Sequence, residues 1–194
     1  MKTLGATLAR LLAPLEFAFV AARGRLFGIS SVVRYLRNPN PRLSVRLLRK
    51  FGATVGRHTR IKRGLIIDNA SEDAHSTGDF RHLVIGENCY LGDEVYLDLA
   101  EQIVVGDHAV IAARVSIVTH ADCNRSAYLA ALFPRICRPV RVESGAWLGL
   151  GASLLPGVTV ARECVIGAGA VVTADTLPRT LHAGVPAKKI KDLS

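Results

Sequence analysis

Residues 142–178 read VESGAWLGLGASLLPGVTVARECVIGAGAVVTADTLP. The stretch is too rich in glycine for a helix and lacks the strict alternation of a half-buried strand, yet its aliphatic residues are evenly spaced. Val142, Leu148, Leu154, Val160, Ile166 and Val172 recur every six residues. A fixed six-residue period is a mark of parallel β-helix folds. Each hexapeptide supplies one short strand and a turn, and three of them close a triangular coil. The aliphatic residue then points inward and stacks on its counterparts above and below. A second inward position, four residues on, holds Ala146, Ala152, Val158, Cys164 and Ala170 and is read as a corner that admits only small side chains. Gly149 and Gly167, at the second position, are read as corner residues with no Cβ to clash. A single unit cannot bury its apolar side, so the coils must stack.

Working outward, the same phase recurs upstream. IGENCY starts at Ile85, LGDEVY at Leu91 and a further unit at Leu97; after a two-residue slip come VGDHAV at Val105, IAARVS at Ile111 and IVTHAD at Ile117. A weaker pair, VGRHTR at Val55 and IKRGLI at Ile61, precedes them. Sandwich strands would instead alternate with period two between turns of uneven length. The reading is therefore an all-β chain, a parallel β-helix over 55–178, with a helical extension over 1–54 and a short tail over 179–194. Two insertions interrupt the coils, DNASEDAHSTGDFRH at 68–82 and ADCNRSAYLAALFPRICRP at 121–139. Both are read as loops, and loops this long inside a compact repeat are usually functional or disordered.

Charge is unevenly placed. Residues 1–63 carry 14 Lys and Arg against one acid, Glu16, whereas the rest of the chain carries 11 basic and 15 acidic groups. The apolar run LARLLAPLEFAFVAA is broken by Arg10, Pro14 and Glu16, falls short of the roughly 20 residues of a membrane span and lacks a signal-peptide cleavage site. Residues 1–50 are thus either helices that cap the first coil or a basic amphipathic segment resting peripherally on anionic membrane, and one segment can do both. Nucleic acid is a poor partner, because no aromatic stacking surface or groove-reading motif accompanies the charge. The four cysteines are read as reduced thiols of a cytoplasmic protein, Cys89 and Cys164 at inward corners and Cys123 and Cys137 in a loop.

The run GAWLGLGASLLPGVTVARECVIGAGAVVTADTLP, followed by HAGVPAKKIK, resembles the C-terminal signature of hexapeptide-repeat acyltransferases with a left-handed β-helix. That family includes galactoside, maltose and serine acetyltransferases. The resemblance covers residues 55–192, and LLRKFGATVGRHTRI is most similar to the colanic-acid type of sugar acetyltransferase. The left hand rests on the resemblance alone, since parallel crossovers are nearly always right-handed.

The resemblance implies an O-acetyltransferase that takes its acyl group from acetyl-CoA and delivers it to a sugar-type acceptor. His120, which ends a coil and opens the larger insertion, matches the general base, a role that suits an imidazole titrating near neutrality. The amide of Leu150, in the WLGL motif, matches the oxyanion donor. Asp98 stands where similar enzymes often carry Asn; it either holds the imidazole tautomer or is a solvated corner residue, with Asp122 a weaker candidate for the same task. Cofactor contacts are implied at Trp147, Gly149, Ala168, Gly169 and Thr173, and at Lys188, Lys189 and Lys191 for the phosphates. A site shared between subunits implies a homotrimer. The remaining histidines, His58, His75, His82, His108 and His182, are read as surface or turn residues.

Other classes fit less well. A β-helical carbonic anhydrase needs three zinc-ligating histidines, and no histidine follows His120 within sixty residues, so no metal is expected. A sugar-nucleotide transferase would need a nucleotide-binding domain larger than the N-terminal segment. A non-catalytic scaffold remains the alternative, because fold does not fix function.

Overall fold

A computed structural model describes residues 2–40 and 42–193, with side chains from residue 11 onward. Three parallel sheets form the faces of a triangular prism. The first face carries β1 (Thr54–Val55), β4 (Leu83–Ile85), β7 (Ile103–Val105), β12 (Val140–Val142) and β15 (Thr159–Val160). The second carries β2 (Arg60–Ile61), β5 (Tyr90–Leu91), β8 (Val110–Ile111), β13 (Trp147–Leu148), β16 (Val165–Ile166) and β18 (Thr180–Ala183), with β19 (Lys188–Asp192) paired antiparallel at its edge. The third carries β3 (Ile66–Asp68), β6 (Tyr96–Asp98), β9 (Ser116–Ile117), β14 (Ser153–Leu154) and β17 (Val171–Val172).

Strand register turns the six-residue period into three interior columns. Val55, Ile85, Val105, Val142 and Val160 pair in succession on the first face. Ile61, Leu91, Ile111, Leu148 and Ile166 do so on the second, and Ile67, Leu97, Ile117, Leu154 and Val172 on the third. All fifteen are buried, and full burial of one such side chain is worth about 1.5–3 kcal/mol.

Several expectations change in detail. The second inward position is small only in part: Cys89, Ala109, Ala146 and Cys164 occupy it before the second face, but Leu83, Ile103 and Val140 fill it before the first and Leu65 and Val95 before the third, all buried. Gly149 and Gly167 are small because coils approach closely, not because they turn a corner: a Cβ would lie 2.6 Å from the Ala168 amide at Gly149 and 2.9 Å from the Ala183 Cβ at Gly167. Left-handed backbone falls elsewhere, at Gly145, Gly151, Gly157, Glu163 and Gly169, again six apart.

The expected tail from residue 179 instead begins by adding a strand to the second face. His182 continues the interior column above Ile166 and is buried, so it is not the surface residue expected. Its Nε2 lies 3.0 Å from Thr180 Oγ1, and that hydroxyl donates to the Leu177 carbonyl at 2.6 Å, so the imidazole is the donor. Burial, followed by the charge of Lys189, pushes its pKa below the ordinary 6.5.

The extension forms three helices, α1 (Lys2–Phe27), α2 (Ser30–Leu36) and α3 (Ser44–Lys50). Leu47 and Leu48 of α3 are fully buried in the common core, and Arg49 donates to the Val55 and Gly56 carbonyls at 2.8 and 2.9 Å. The open edge of the first coil is thereby covered. Glu16 of α1 accepts hydrogen bonds from the Tyr35 hydroxyl at 2.6 Å and from Asn40 at 3.0 Å. Burial and that carboxylate push Tyr35 up to about 12. The opposite side of α1 leaves Leu11, Leu15, Phe19 and Leu26 exposed. Of residues 1–50, Met1, Pro41 and the side chains of 2–10 lie outside the described residues.

Neither insertion is a bare loop. The first is anchored by Phe80, fully buried, whose amide donates to the Phe51 carbonyl at 2.7 Å; Asp68, assigned to it from sequence, belongs to β3. The second contains a hairpin of β10 (His120–Ala121) and β11 (Ile136–Cys137) enclosing α4 (Ala127–Leu132). Cys137 is therefore a strand residue, cross-strand from His120.

Candidate active site

His120 leaves the third face just after β9, at the edge where the chain turns toward the first face. Its Nδ1 lies 2.7 Å from Asp98 Oδ2, and its backbone amide donates to the same oxygen at 2.9 Å. The Thr119 amide adds a bond at 2.8 Å, while Oδ1 accepts from Asn69 Nδ2 at 2.8 Å and from the Ala100 amide at 3.2 Å. Asp98 is completely buried. Burial alone would raise its pKa, but these donors, Asn69 and His120 foremost, outweigh it and hold the carboxyl below its ordinary value. A solvated corner residue is thus ruled out for Asp98.

The charge state fixes the tautomer. An ionised carboxylate only accepts, so Nδ1 of His120 carries the proton and Nε2 of the neutral ring has a free lone pair. The ring is 24% exposed, enough for a bound hydroxyl to reach it. Asp122 does not share this task, because it accepts from Arg135 Nη1 at 2.7 Å. Arg135 also pairs with Asp73 at 2.6 Å, tying both insertions together beside the imidazole. Asn69, Asp73, Thr119 and Arg135 were missed in the sequence reading. Only Asn69 had a usable signal: coil alignment pairs Asp68 with Asp98, which puts Asn69 one coil below the carboxylate.

The second face carries a groove of about 670 Å³ lined by Trp147, Gly149, Leu150, Ala168, Leu181 and Lys191 among others. Trp147 is 52% exposed and stands between Val110 and Val165 on the neighbouring strands. Of the residues proposed from sequence, Trp147, Gly149, Leu150, Ala168 and Lys191 meet here. Gly169, Thr173, Lys188 and Lys189 do not line the groove; Lys189 pairs with Asp192 at 2.6 Å instead. The Leu150 carbonyl accepts from Gly169 at 2.8 Å, and among the described residues the Leu150 N–H donates to no backbone carbonyl. The groove occupies one face of the prism, whereas His120 sits on the edge between the other two.

Residues 82–118 and 139–174 match the family model described as the hexapeptide repeat of succinyl-transferase. The chain is 26% identical over 153 residues to the galactoside O-acetyltransferase of Escherichia coli, covering 76% of this chain and 68% of that protein. It is 34% identical over 116 residues to that of Lactococcus lactis, covering 55% and 56%. Its alignments with eight curated relatives span 27% to 68% of their lengths. A solved galactoside acetyltransferase in complex with coenzyme A superposes with a TM-score of 0.72 at 23% identity, over 90% of this chain and 82% of that one. The shared fold is the left-handed parallel β-helix.

Proposed function

From its standing as a hexapeptide-repeat protein, we propose that the chain is an acetyl-CoA-dependent O-acetyltransferase acting on a hydroxyl of a sugar, a polysaccharide precursor or a glycolipid. The observation that carries the reading is the buried Asp98 carboxylate, which fixes Nδ1–H of His120 and leaves Nε2 as base. Nε2 takes the acceptor proton as the hydroxyl oxygen attacks the thioester carbonyl. The developing imidazolium is stabilised by Asp98. The oxyanion takes a hydrogen bond from the Leu150 N–H. As the intermediate collapses, the coenzyme A thiolate leaves and recovers the proton from His120. The second-face groove takes the pantetheine arm beside Trp147, with Lys191 near a phosphate. The relatives named above as galactoside O-acetyltransferases, and the one with coenzyme A bound, support this class.

The groove and His120 cannot serve one substrate pair within a single chain, because they lie on opposite sides of the prism. The working site is therefore built between copies, the groove of one facing the His120 edge of the next, and three copies close such a heterologous contact into a ring. The test is acceptor screening with acetyl-CoA, following thiol release, alongside sedimentation. Release that needs an acceptor sugar and His120, in a trimer, is the expected result. Thiol release that His120→Ala leaves intact overturns the mechanism, and a fully active monomer overturns the shared site.

The exposed Leu11, Leu15, Phe19 and Leu26 share one face of α1 at helical spacing, within a segment of 14 basic residues and one acid. No helix among the described residues is long and apolar enough to cross a membrane. This face rests peripherally on anionic membrane, inserting apolar groups while the basic residues meet the headgroups. Flotation with anionic vesicles should recover the protein, and Phe19→Glu with Leu15→Glu should release it. Equal recovery with neutral vesicles overturns the charge argument.

A further inference from the structure

The hexapeptide phase breaks three times: at the first insertion, at the slip after Asp98 and at the second insertion. Each break delivers one residue with metal-binding chemistry to a single place. His75 comes from the first insertion, Glu101 from the slip and Cys137 from β11. Their ligand atoms all lie within 4.8 Å of one another. The cluster is fixed to the corner that holds the Asp98–His120 pair, since the Glu101 amide donates to Thr119 Oγ1 at 3.0 Å and Cys137 pairs with His120 across the hairpin.

We propose that His75, Glu101 and Cys137 form a binding site for a zinc-class divalent cation that fastens both insertions to the coils. A thiolate, an imidazole and a carboxylate are a ligand set for zinc, which takes them in tetrahedral geometry with bonds of about 2.0–2.3 Å. Ligand atoms in such a sphere sit about 3.5 Å apart, so the cluster closes by roughly 1 Å on binding. His75 can supply that movement: it is exposed, and among the described residues its ring makes no hydrogen bond. The Glu101 carboxylate uses only Oε1, which accepts from Gln102 at 2.8 Å, leaving its other oxygen for the metal.

Local charge favours a dication. Glu101, Asp73 and Asp122 bring three carboxylates, and Arg135, which bridges the latter two, brings the one guanidinium of the group. A thiol gives up its proton as a sulfur–metal bond forms, so binding releases one proton. Three protein ligands leave a fourth position for water. The cation thus acts as a clasp on the segments around His120 and takes no part in the acyl transfer proposed above.

The test is titration of the reduced full-length protein with Co²⁺, an optical stand-in for zinc. One equivalent should give tetrahedral d–d bands and a thiolate-to-cobalt charge-transfer band, both displaced by Zn²⁺. Cys137→Ser should abolish the charge-transfer band and Cys123→Ser should leave it intact. His75→Ala, at an exposed position that folding does not require, should weaken binding at least tenfold. Zinc should also slow proteolysis within residues 121–139 of the wild type. Absence of the charge-transfer band, its survival in Cys137→Ser, or unchanged affinity in His75→Ala would each overturn the site.

Discussion

Residues 142–172 keep the six-residue phase without a break, whereas residues 67–140 break it three times. The interior of the unbroken half is filled by its own packing. Its interior column residues are aliphatic, and at Gly149 even a Cβ would meet the next coil at 2.6 Å. The broken half holds a fully buried carboxylate, and every donor that satisfies it comes from the edge of an interruption: Asn69, Ala100, Thr119 and His120. Along the strand ladders most amides bond carbonyls of a neighbouring coil. At the interruptions they turn instead to the buried Asp98 carboxylate, so the repeat supplies rigidity and a groove while its interruptions supply the Asp98–His120 pair.

The contrast can be broken most severely in the regular half. Leu154→Asp places an unpaired carboxylate in a column that is 0% exposed and should abolish soluble folded protein, by circular dichroism and recovery. A folded variant would show that the coils do not stack as described. In the broken half, His120→Ala should leave folding intact but lower kcat by about 10²–10⁴-fold, or roughly 3–5 kcal/mol of barrier. Steady-state kinetics with acetyl-CoA at saturation checks this.

Asp98→Asn should cost less, about 10- to 100-fold in kcat, each factor of ten being roughly 1.4 kcal/mol. It also tests stability, with a definite sign. A carboxyl held below its ordinary value of 3.8 contributes stability that is complete above that pH and drains away as pH falls through the folded value. Denaturant midpoints of wild type and Asp98→Asn should therefore differ at neutral pH and converge in strong acid. His182 behaves in the same sense near neutrality. Its depressed pKa contributes stability that is complete above 6.5 and is lost on acidification, so His182→Leu should flatten the melting temperature between about pH 7 and 5. The smallest effect belongs to Lys191→Ala, a rise of a few-fold in KM for acetyl-CoA that shrinks in high salt, with Lys188→Ala and Lys189→Ala near wild type.

The columns were legible because a period reports itself: each aliphatic residue predicts the next one six places on. His182 escaped that logic. It lies ten residues past Val172, beyond the point where the chain leaves its phase at Pro178, yet register returns it to the interior. At the site, positions were easier to read than relationships. His120 stood out where a coil ends and the larger insertion opens, and Asp98 as the place where similar enzymes often carry Asn, but the environment of Asp98 depends on donors up to 29 residues away. Arg135 had no local signal, since its partners Asp73 and Asp122 come from two different insertions. The groove was partly visible through the WLGL motif. The lysines were not separable by sequence, because β19 turns only Lys191 toward the groove.

In the shared-site arrangement proposed above, a groove on one face and a base on the far edge make each chain the owner of two half-sites that never serve one another. Inactive chains can then rescue each other. His120→Ala retains a usable groove, and Ala168→Trp, which blocks the groove at an exposed position, retains a usable base. Unfolded together in equal amounts and renatured, they should assemble at random, and about a quarter of the sites would pair an intact groove with an intact histidine. Mixed without unfolding they should stay silent. On that arrangement activity is a property of neighbours, and a copy lacking both a usable groove and a usable histidine spoils two sites in its ring.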